Sequence, residues 1–264
     1  MHTHLQIAIQ AAIEAGEAIM EIYKKDFEVA LKADDSPLTE ADQKANHVIM
    51  KYLEKTEFPI ISEENKQTDY EVRKQWDSCW IVDPLDGTKE FIKKNGEFTV
   101  NIALIHDQKT TLGVIYVPAT KLLYYADAST KLAQKVQLDK AVFDMNFIQK
   151  NAKAIQPKED EKNLRVVGSR SHMNEDTTNF IESLKTKKEI EVVSKGSSLK
   201  FCLVADGYAD IYPRFAPTME WDTAAGQAIC KAVGLQIIDQ KTGAEMLYNR
   251  ENLLNNYFMV SNQK

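Results

Sequence analysis

The stretch IVDPLDGTKEF, residues 81–91, decides how the rest of the chain is read. An apolar run, Trp80-Ile81-Val82, has the character of a buried strand and leads directly into Asp83, Pro84, Leu85, Asp86, Gly87 and Thr88. Two carboxylates three residues apart repel each other and resist desolvation. Pro84 stiffens the expected turn between them and Gly87 loosens its end. A strand end loaded in this way needs a positive partner.

Two other apolar segments end in acid. Phe58–Ile61 runs into Ser62-Glu63-Glu64, and Trp221 precedes Asp222. Ligands in layered α/β folds gather at strand ends and helix starts, so convergence would bring Glu63, Asp83, Asp86 and Asp222 together. The set needs no His or Cys. An all-oxygen, strongly anionic cluster suits a hard cation, Mg²⁺ first. Each acid alone has a plainer explanation. Asp83-Pro84 could be a strand-ending turn. Asp222 could cap a helix beginning at Thr223. Asp42 could be only the acid of a capping box, Thr39-Glu40-Ala41-Asp42. Glu63 could be a solvated loop acid. An EF-hand is excluded by the Asp83–Asp86 spacing. Gly87 and Thr88 open a helical turn, where backbone N–H groups suit anionic oxygens. The Thr88 hydroxyl can orient a water.

The chain has 264 residues, 44% hydrophobic and 27% charged, enough for one large domain or two closely packed halves. No apolar run approaches a membrane span, and MHTHLQIAIQAAIEAGEAIM reads as an amphipathic helix, not a secretory signal. Three scattered cysteines, Cys79, Cys202 and Cys230, make no disulfide framework and suit a reducing cytosol. The net charge of −6 argues against a general nucleic-acid binder. It leaves a small anion possible, because Lys89, Lys93 and Lys94 cluster after the opening motif and Arg170, Lys195, Lys200 and Arg214 recur later.

Apolar spacing predicts helices over about 5–23, 39–53, 174–184, 198–205 and 223–233. Strands are expected near 58–61, 80–82, 98–105, 165–167, 191–194, 209–212 and 235–238, with a hairpin of 112–117 and 122–126 around Pro118. Residues 127–163 are rich in Lys, Asp and Gln around a small apolar centre at Val142-Phe143. A boundary here divides the chain into residues 1–145, with most of the acids, and 146–264, whose alternating strands and helices are those of an α/β layer.

The motifs SEE (62–64), WIVDPLDGT (80–88) and WDTAAG (221–226), in that order, resemble the lithium-sensitive, magnesium-dependent phosphatases of the inositol monophosphatase superfamily. The resemblance spans essentially the whole chain. It is greatest to the 3′(2′),5′-bisphosphate nucleotidases of the CysQ type, carried by KADDSPLTEAD (32–42), DPLDGTKEFIKKNGEFTVNIALI (83–105), GSRSH (168–172) and GSSLKFCLVADGYADIYPRF (196–215). Inositol monophosphatases typically read D-G-T-x-N-F where this chain reads Asp86-Gly87-Thr88-Lys89-Glu90-Phe91.

The resemblance implies an α/β fold, a layered αβαβα sandwich of the inositol monophosphatase and sugar phosphatase type. It implies metal ligands at Glu63, Asp83, the Leu85 carbonyl, Asp86 and Asp222. Two Mg²⁺ ions are expected, with a third near Asp42 left open. Asp42 and Thr88, with Glu63, match the residues that aim the attacking water. Substrate contacts carry over to Gly87, Thr88, His172, Ser197, Lys200, Arg214 and Asp222. The implied reaction is hydrolysis of the 3′-phosphate of adenosine 3′,5′-bisphosphate to AMP, part of sulfate assimilation, in a cytoplasmic protein, monomeric rather than dimeric. Arg214, behind Tyr212-Pro213, is expected to have its fork fixed by a stiff turn. Lys200 could instead be a solvated helix lysine, and His172 a loop histidine. Inositol monophosphate or a sugar bisphosphate is the rival substrate, and a non-catalytic nucleotide sensor the rival class. Preference between the bisphosphate and its phosphoadenylylsulfate precursor stays open, as does peripheral attachment to the inner membrane.

Overall fold

The chain begins with α1 (Thr3–Tyr23), a short hairpin of β1 (Val29–Leu31) and β2 (Pro37–Thr39), and α2 (Glu40–Leu53). Next come β3 (Ile60–Ser62), α3 (Tyr70–Arg73), β4 (Ser78–Asp86), α4 (Thr88–Ile92), β5 (Thr99–His106), β6 (Lys109–Val117), β7 (Leu122–Asp127) and β8 (Leu132–Gln137). α5 (Met145–Asn151), β9 (Lys153–Ala154), β10 (Asn163–Ser169), α6 (Glu175–Ser183), β11 (Glu189–Lys195), α7 (Leu199–Ala205), β12 (Ile211–Arg214), α8 (Glu220–Ala232), β13 (Ile237–Asp239) and β14 (Phe258–Ser261) complete it. This computed structural model describes residues 3–25, 29–31, 37–169 and 174–263.

Strands β3 to β9 form one seven-stranded sheet in sequence order, and a second sheet has the order β11-β10-β12-β14-β13. Successive side chains of a strand point to opposite faces, and the first sheet uses both. Trp80 and Val82 of β4, with Val100, Ile102 and Leu104 of β5, pack against α1 and α2. Cys79 and Ile81, with Ala103 and Ile105, face α7, α8 and the inner face of the second sheet. The outer face of that sheet, Leu164, Val166 and Ile211, is covered by Phe180 and Ile181 of α6. The layers are therefore helix, sheet, helix, sheet, helix, as the resemblance implied. Gly113 lets α8 lie close on the first sheet, since a Cβ there would stand 2.6 Å from Ala228 Cβ.

Several local expectations change. β4 does not stop at Val82 but continues through both acids to Asp86. Pro213 sits inside β12, so Arg214 ends a strand and is not fixed by a turn. α8 starts at Glu220 with Met219 as its cap, so Asp222 is not the N-cap but the third helical residue. The charged segment holds β8, whose buried residues are only Ala133 and Val136, too few to show as a period in sequence. β14 was not expected, yet it lies between β12 and β13.

Candidate active site

β3 pairs with β4 in parallel, Ser62 opposite Val82, and the Glu63 N–H extends the ladder to Val82 O at 3.1 Å. That register sets Glu63 beside Asp83. In a regular strand Asp83 and Asp86 would face opposite sides. Against β5, however, Asp83 pairs with Asn101 and Asp86 with Thr99, so Pro84 and Leu85 together oppose the single residue Val100. One extra residue is a β-bulge, and Pro84, which has no N–H to contribute, is tolerated there. The bulge brings both acids to one cleft, which α8 closes with Asp222.

Carboxylate oxygens of Glu63, Asp83 and Asp222 lie within 4.8 Å of one another. Asp83 is 1% exposed. Burial, then the charges of Glu63, Asp86 and Asp222, push its carboxyl well above the usual range. Burial first, then Asp86 and Glu63, push Asp222 up to about 8, against the lowering effect of its hydrogen bond from Met219. Asp86 lines the same cleft but lies outside the three-residue cluster.

Glu63, Leu85, Gly87, Thr88, Ser197, Lys200 and Arg214 line that cleft with Asp83, Asp86 and Asp222. Asp42, 1% exposed, stands behind it. Its Oδ2 accepts from Thr39 N and Oγ1, both at 2.7 Å, as the capping box requires, while its Oδ1 accepts from the Thr88 hydroxyl at 3.3 Å. Thus Asp42 is both a cap and the partner of Thr88, which also reaches the Leu85 carbonyl at 3.4 Å. Gly87 has φ +95°, a conformation open to glycine. Lys200 is not a solvated helix lysine. It is 5% exposed, donates to Ser197 O at 2.5 Å and lies over the Tyr212 ring. Burial lowers its amine to about 8. Arg214 donates to Pro217 O at 3.1 Å. Its Nε and the Ser197 Oγ are buried without a hydrogen-bond partner among the described residues. His172 and Arg170 lie outside the described residues.

Sequence reasoning passed over Ser198, Asn101 and Glu220. Ser198 N and Oγ both lie 2.6 Å from Asp86 Oδ2, and Asn101 Nδ2 reaches that oxygen at 3.2 Å. The signal for Asn101 was present, a lone amide within the apolar run FTVNIALI. Glu220, fully buried, accepts from Asn249 N at 2.6 Å and Arg250 Nε at 2.9 Å, which anchors the first turn of α8 and so Asp222. Burial raises Glu220 to about 7 despite Arg250.

The donor set fits a hard divalent cation. It is all oxygen, it is partly withdrawn from water, and its crowded charges raise the proton affinity of Asp83 and Asp222 for want of positive charge. Among the described residues, no helix is long and apolar enough to cross a membrane.

The model of the inositol monophosphatase family matches residues 1–264. The chain is 44% identical over 262 residues to the 3′(2′),5′-bisphosphate nucleotidase CysQ of Salmonella typhimurium, covering 97% of this chain and 99% of that protein. It is 44% identical over 257 residues to the enzyme of the same name from Escherichia coli K12, covering 96% and 97%. The crystal structure of CysQ from Bacteroides thetaiotaomicron superposes with a TM-score of 0.90 at 46% identity, covering 100% of this chain and 99% of that one. The motifs, the layered fold and a match along the full length agree: this chain belongs to the inositol monophosphatase family.

Proposed function

We propose that the protein is a 3′(2′),5′-bisphosphate nucleotidase that removes the 3′-phosphate of adenosine 3′,5′-bisphosphate, giving AMP and phosphate, in the recycling that accompanies sulfate assimilation. The observation that carries the substrate is a cleft lined both by clustered carboxylates and by two cations, Lys200 and Arg214, which feel the charges of Asp86 and Asp222. A substrate with two phosphates suits such a lining, one at the acids and one on the cations. The names of the relatives support the same reading.

Glu63, Asp83, the Leu85 carbonyl, Asp86 and Asp222 would hold Mg²⁺, two ions in this reading. When bound, Mg²⁺ neutralises the phosphate dianion, activates a water at neutral pH and stabilises the leaving oxygen. The protein supplies placement, which dominates catalysis of phosphoryl transfer. Thr88, held by Asp42, and Glu63 aim the water at phosphorus. The backbone at Gly87 and Thr88 holds phosphate oxygens. Arg214 Nε and Ser197 Oγ gain the partners they lack, and Lys200 pairs with the second phosphate. His172 is assigned to nucleotide contact by the resemblance. The bisphosphate should be preferred to inositol phosphate because Lys200 and Arg214 have no use for a single phosphate already bound at the acids.

Phosphate release from adenosine 3′,5′-bisphosphate and inositol 1-phosphate, each with Mg²⁺, with EDTA and with Mg²⁺ plus Li⁺, tests the reading. Mg²⁺-dependent, Li⁺-sensitive release from the nucleotide, with 5′-AMP as product, is expected. Preference for the inositol ester would overturn the roles given to Lys200 and Arg214. No release from either would favour the nucleotide sensor.

A further inference from the structure

Ser198 stands in the loop between β11 and α7, 2% exposed. Its N–H and its Oγ lie 2.6 Å from Asp86 Oδ2, the Asn101 amide reaches the same oxygen at 3.2 Å, and Thr99 Oγ1 is 3.5 Å away. Every described hydrogen bond to Asp86 falls on Oδ2. The Ser198 hydroxyl also lies 2.8 Å from the backbone oxygen of Asp222 and accepts from Asn101 Nδ2 at 2.8 Å. It has one proton to give. The shorter approach and the charged acceptor favour Asp86. The loop is itself anchored from the first sheet's side, where Glu97 accepts from Gly196 N at 2.8 Å and pairs with Lys195 Nζ at 3.2 Å.

Resting on the proposed metal site, we propose that Ser198 is a positioning residue for Asp86: with Asn101 it saturates Oδ2 and leaves Oδ1 as the oxygen offered to the cation. Two physical effects follow. The carboxylate is locked in one orientation before the cation arrives, so none of that ordering falls on binding. The donors also spread the charge of Asp86, which otherwise adds to the repulsion on Asp83 and Asp222. Hydrogen bonds that orient ligating side chains act through the ligand, and losing one typically lowers metal affinity about 10–100-fold.

Ser198→Ala removes the hydroxyl and keeps the backbone N–H. Mg²⁺ is titrated calorimetrically into the metal-free wild type and the variant, without substrate. The expected result is Mg²⁺ affinity lowered at least tenfold, with turnover recovering as Mg²⁺ is raised. Asn101→Ala removes the amide shared by Asp86 and Ser198, and the same loss is expected there, which decides the matter if Ser198→Ala does not fold. Wild-type affinity in either folded variant overturns the proposal. A wild type that binds no Mg²⁺ overturns the metal site beneath it as well, so the two failures are distinguished by the first titration.

Discussion

Replacing Asp83 by Asn should stabilise the metal-free protein while disabling it. The Asp83 side chain is 1% exposed and lies within 4.8 Å of oxygens on Glu63 and Asp222. Fully ionised, each such pair would repel by about 3.5 kcal/mol at an effective dielectric near 20. Holding a proton caps the penalty at about 1.4 kcal/mol for each unit by which pH exceeds the ordinary pKa. Asp222, raised from 3.8 to about 8, shows that the site takes this route. The cap is about 4 kcal/mol at pH 7. Asn is neutral and isosteric, and its oxygen can still accept from Leu85 N, 3.0 Å away. The repulsion between Glu63 and Asp222 remains, so about half of the cap should be recovered, about 2 kcal/mol. For a chain of this size that is a rise in Tm of about 4–8 °C. Differential scanning calorimetry in EDTA and in Mg²⁺ is the assay. In EDTA the variant should melt above wild type. In Mg²⁺ the order should reverse, with kcat/KM down at least about 100-fold, beyond the usual effect of losing a group that only orients a ligand. A variant that melts below wild type in EDTA would refute the electrostatic argument. One still stabilised by Mg²⁺ as strongly as wild type would remove Asp83 from the ligand set.

Asp86→Ala should keep a native circular dichroism spectrum and lose most phosphate release; normal turnover at moderate Mg²⁺ would remove Asp86 from the metal site. Arg214→Ala should raise KM for the bisphosphate at least about tenfold, the worth of one charge-assisted hydrogen bond, and leave KM for a simple phosphate ester nearly unchanged. Equal effects on both would take Arg214 out of the second phosphate site. Burial lowers Lys200 to about 8, so the amine is charged below that pH and loses its charge above it. Bisphosphate kcat/KM should therefore fall above pH 8, and Lys200→Met should show a raised KM with that alkaline limb absent; a limb that persists in the variant belongs to another group.

The acids were legible because an apolar run broken by two carboxylates has few structural explanations, and the capping box at 39–42 because its signature is local. What joined them was not. The three-residue spacing of Asp83 and Asp86 has no fixed geometry until β5 sets one residue, Val100, opposite the two between them. The contact of Thr88 with Asp42 spans 46 positions and leaves no mark in either segment. Of the adjacent serines, sequence reasoning chose Ser197, a residue that lines the cleft. Ser197 has φ +48°, and across that backbone turn it is Ser198 that meets Asp86. The burial of Lys200 could not be read from LKFCLVA, because α7 is enclosed between two sheets and a helix covered on both sides has no exposed face to show as a period.

The four aspartates of the site, Asp42, Asp83, Asp86 and Asp222, share one construction. Asp42 Oδ2 accepts from Thr39 N, Asp222 Oδ2 from Met219 N at 2.7 Å, Asp83 Oδ1 from Leu85 N, and Asp86 Oδ2 from Ser198 N. In each case one oxygen holds a helix start, a bulge or a loop that the fold needs in any event. The other is left out of that bond, and for Asp42 it accepts from Thr88. Orientation thus comes from bonds already made on folding, and the electrostatic strain of gathering the acids is offset partly by the N–H donors on their structural oxygens. Preorganisation of this kind explains how half-buried carboxylates from separate segments can wait for a cation without collapsing onto one another. It also ties the site to the fold. A change that unwinds the first turn of α8 or slips the β4–β5 register would move an acid by the same act that removes a structural hydrogen bond, so such a change should cost activity and stability together, unlike Asp83→Asn, which keeps the bond from Leu85 N, and unlike changes at Lys200 and Arg214.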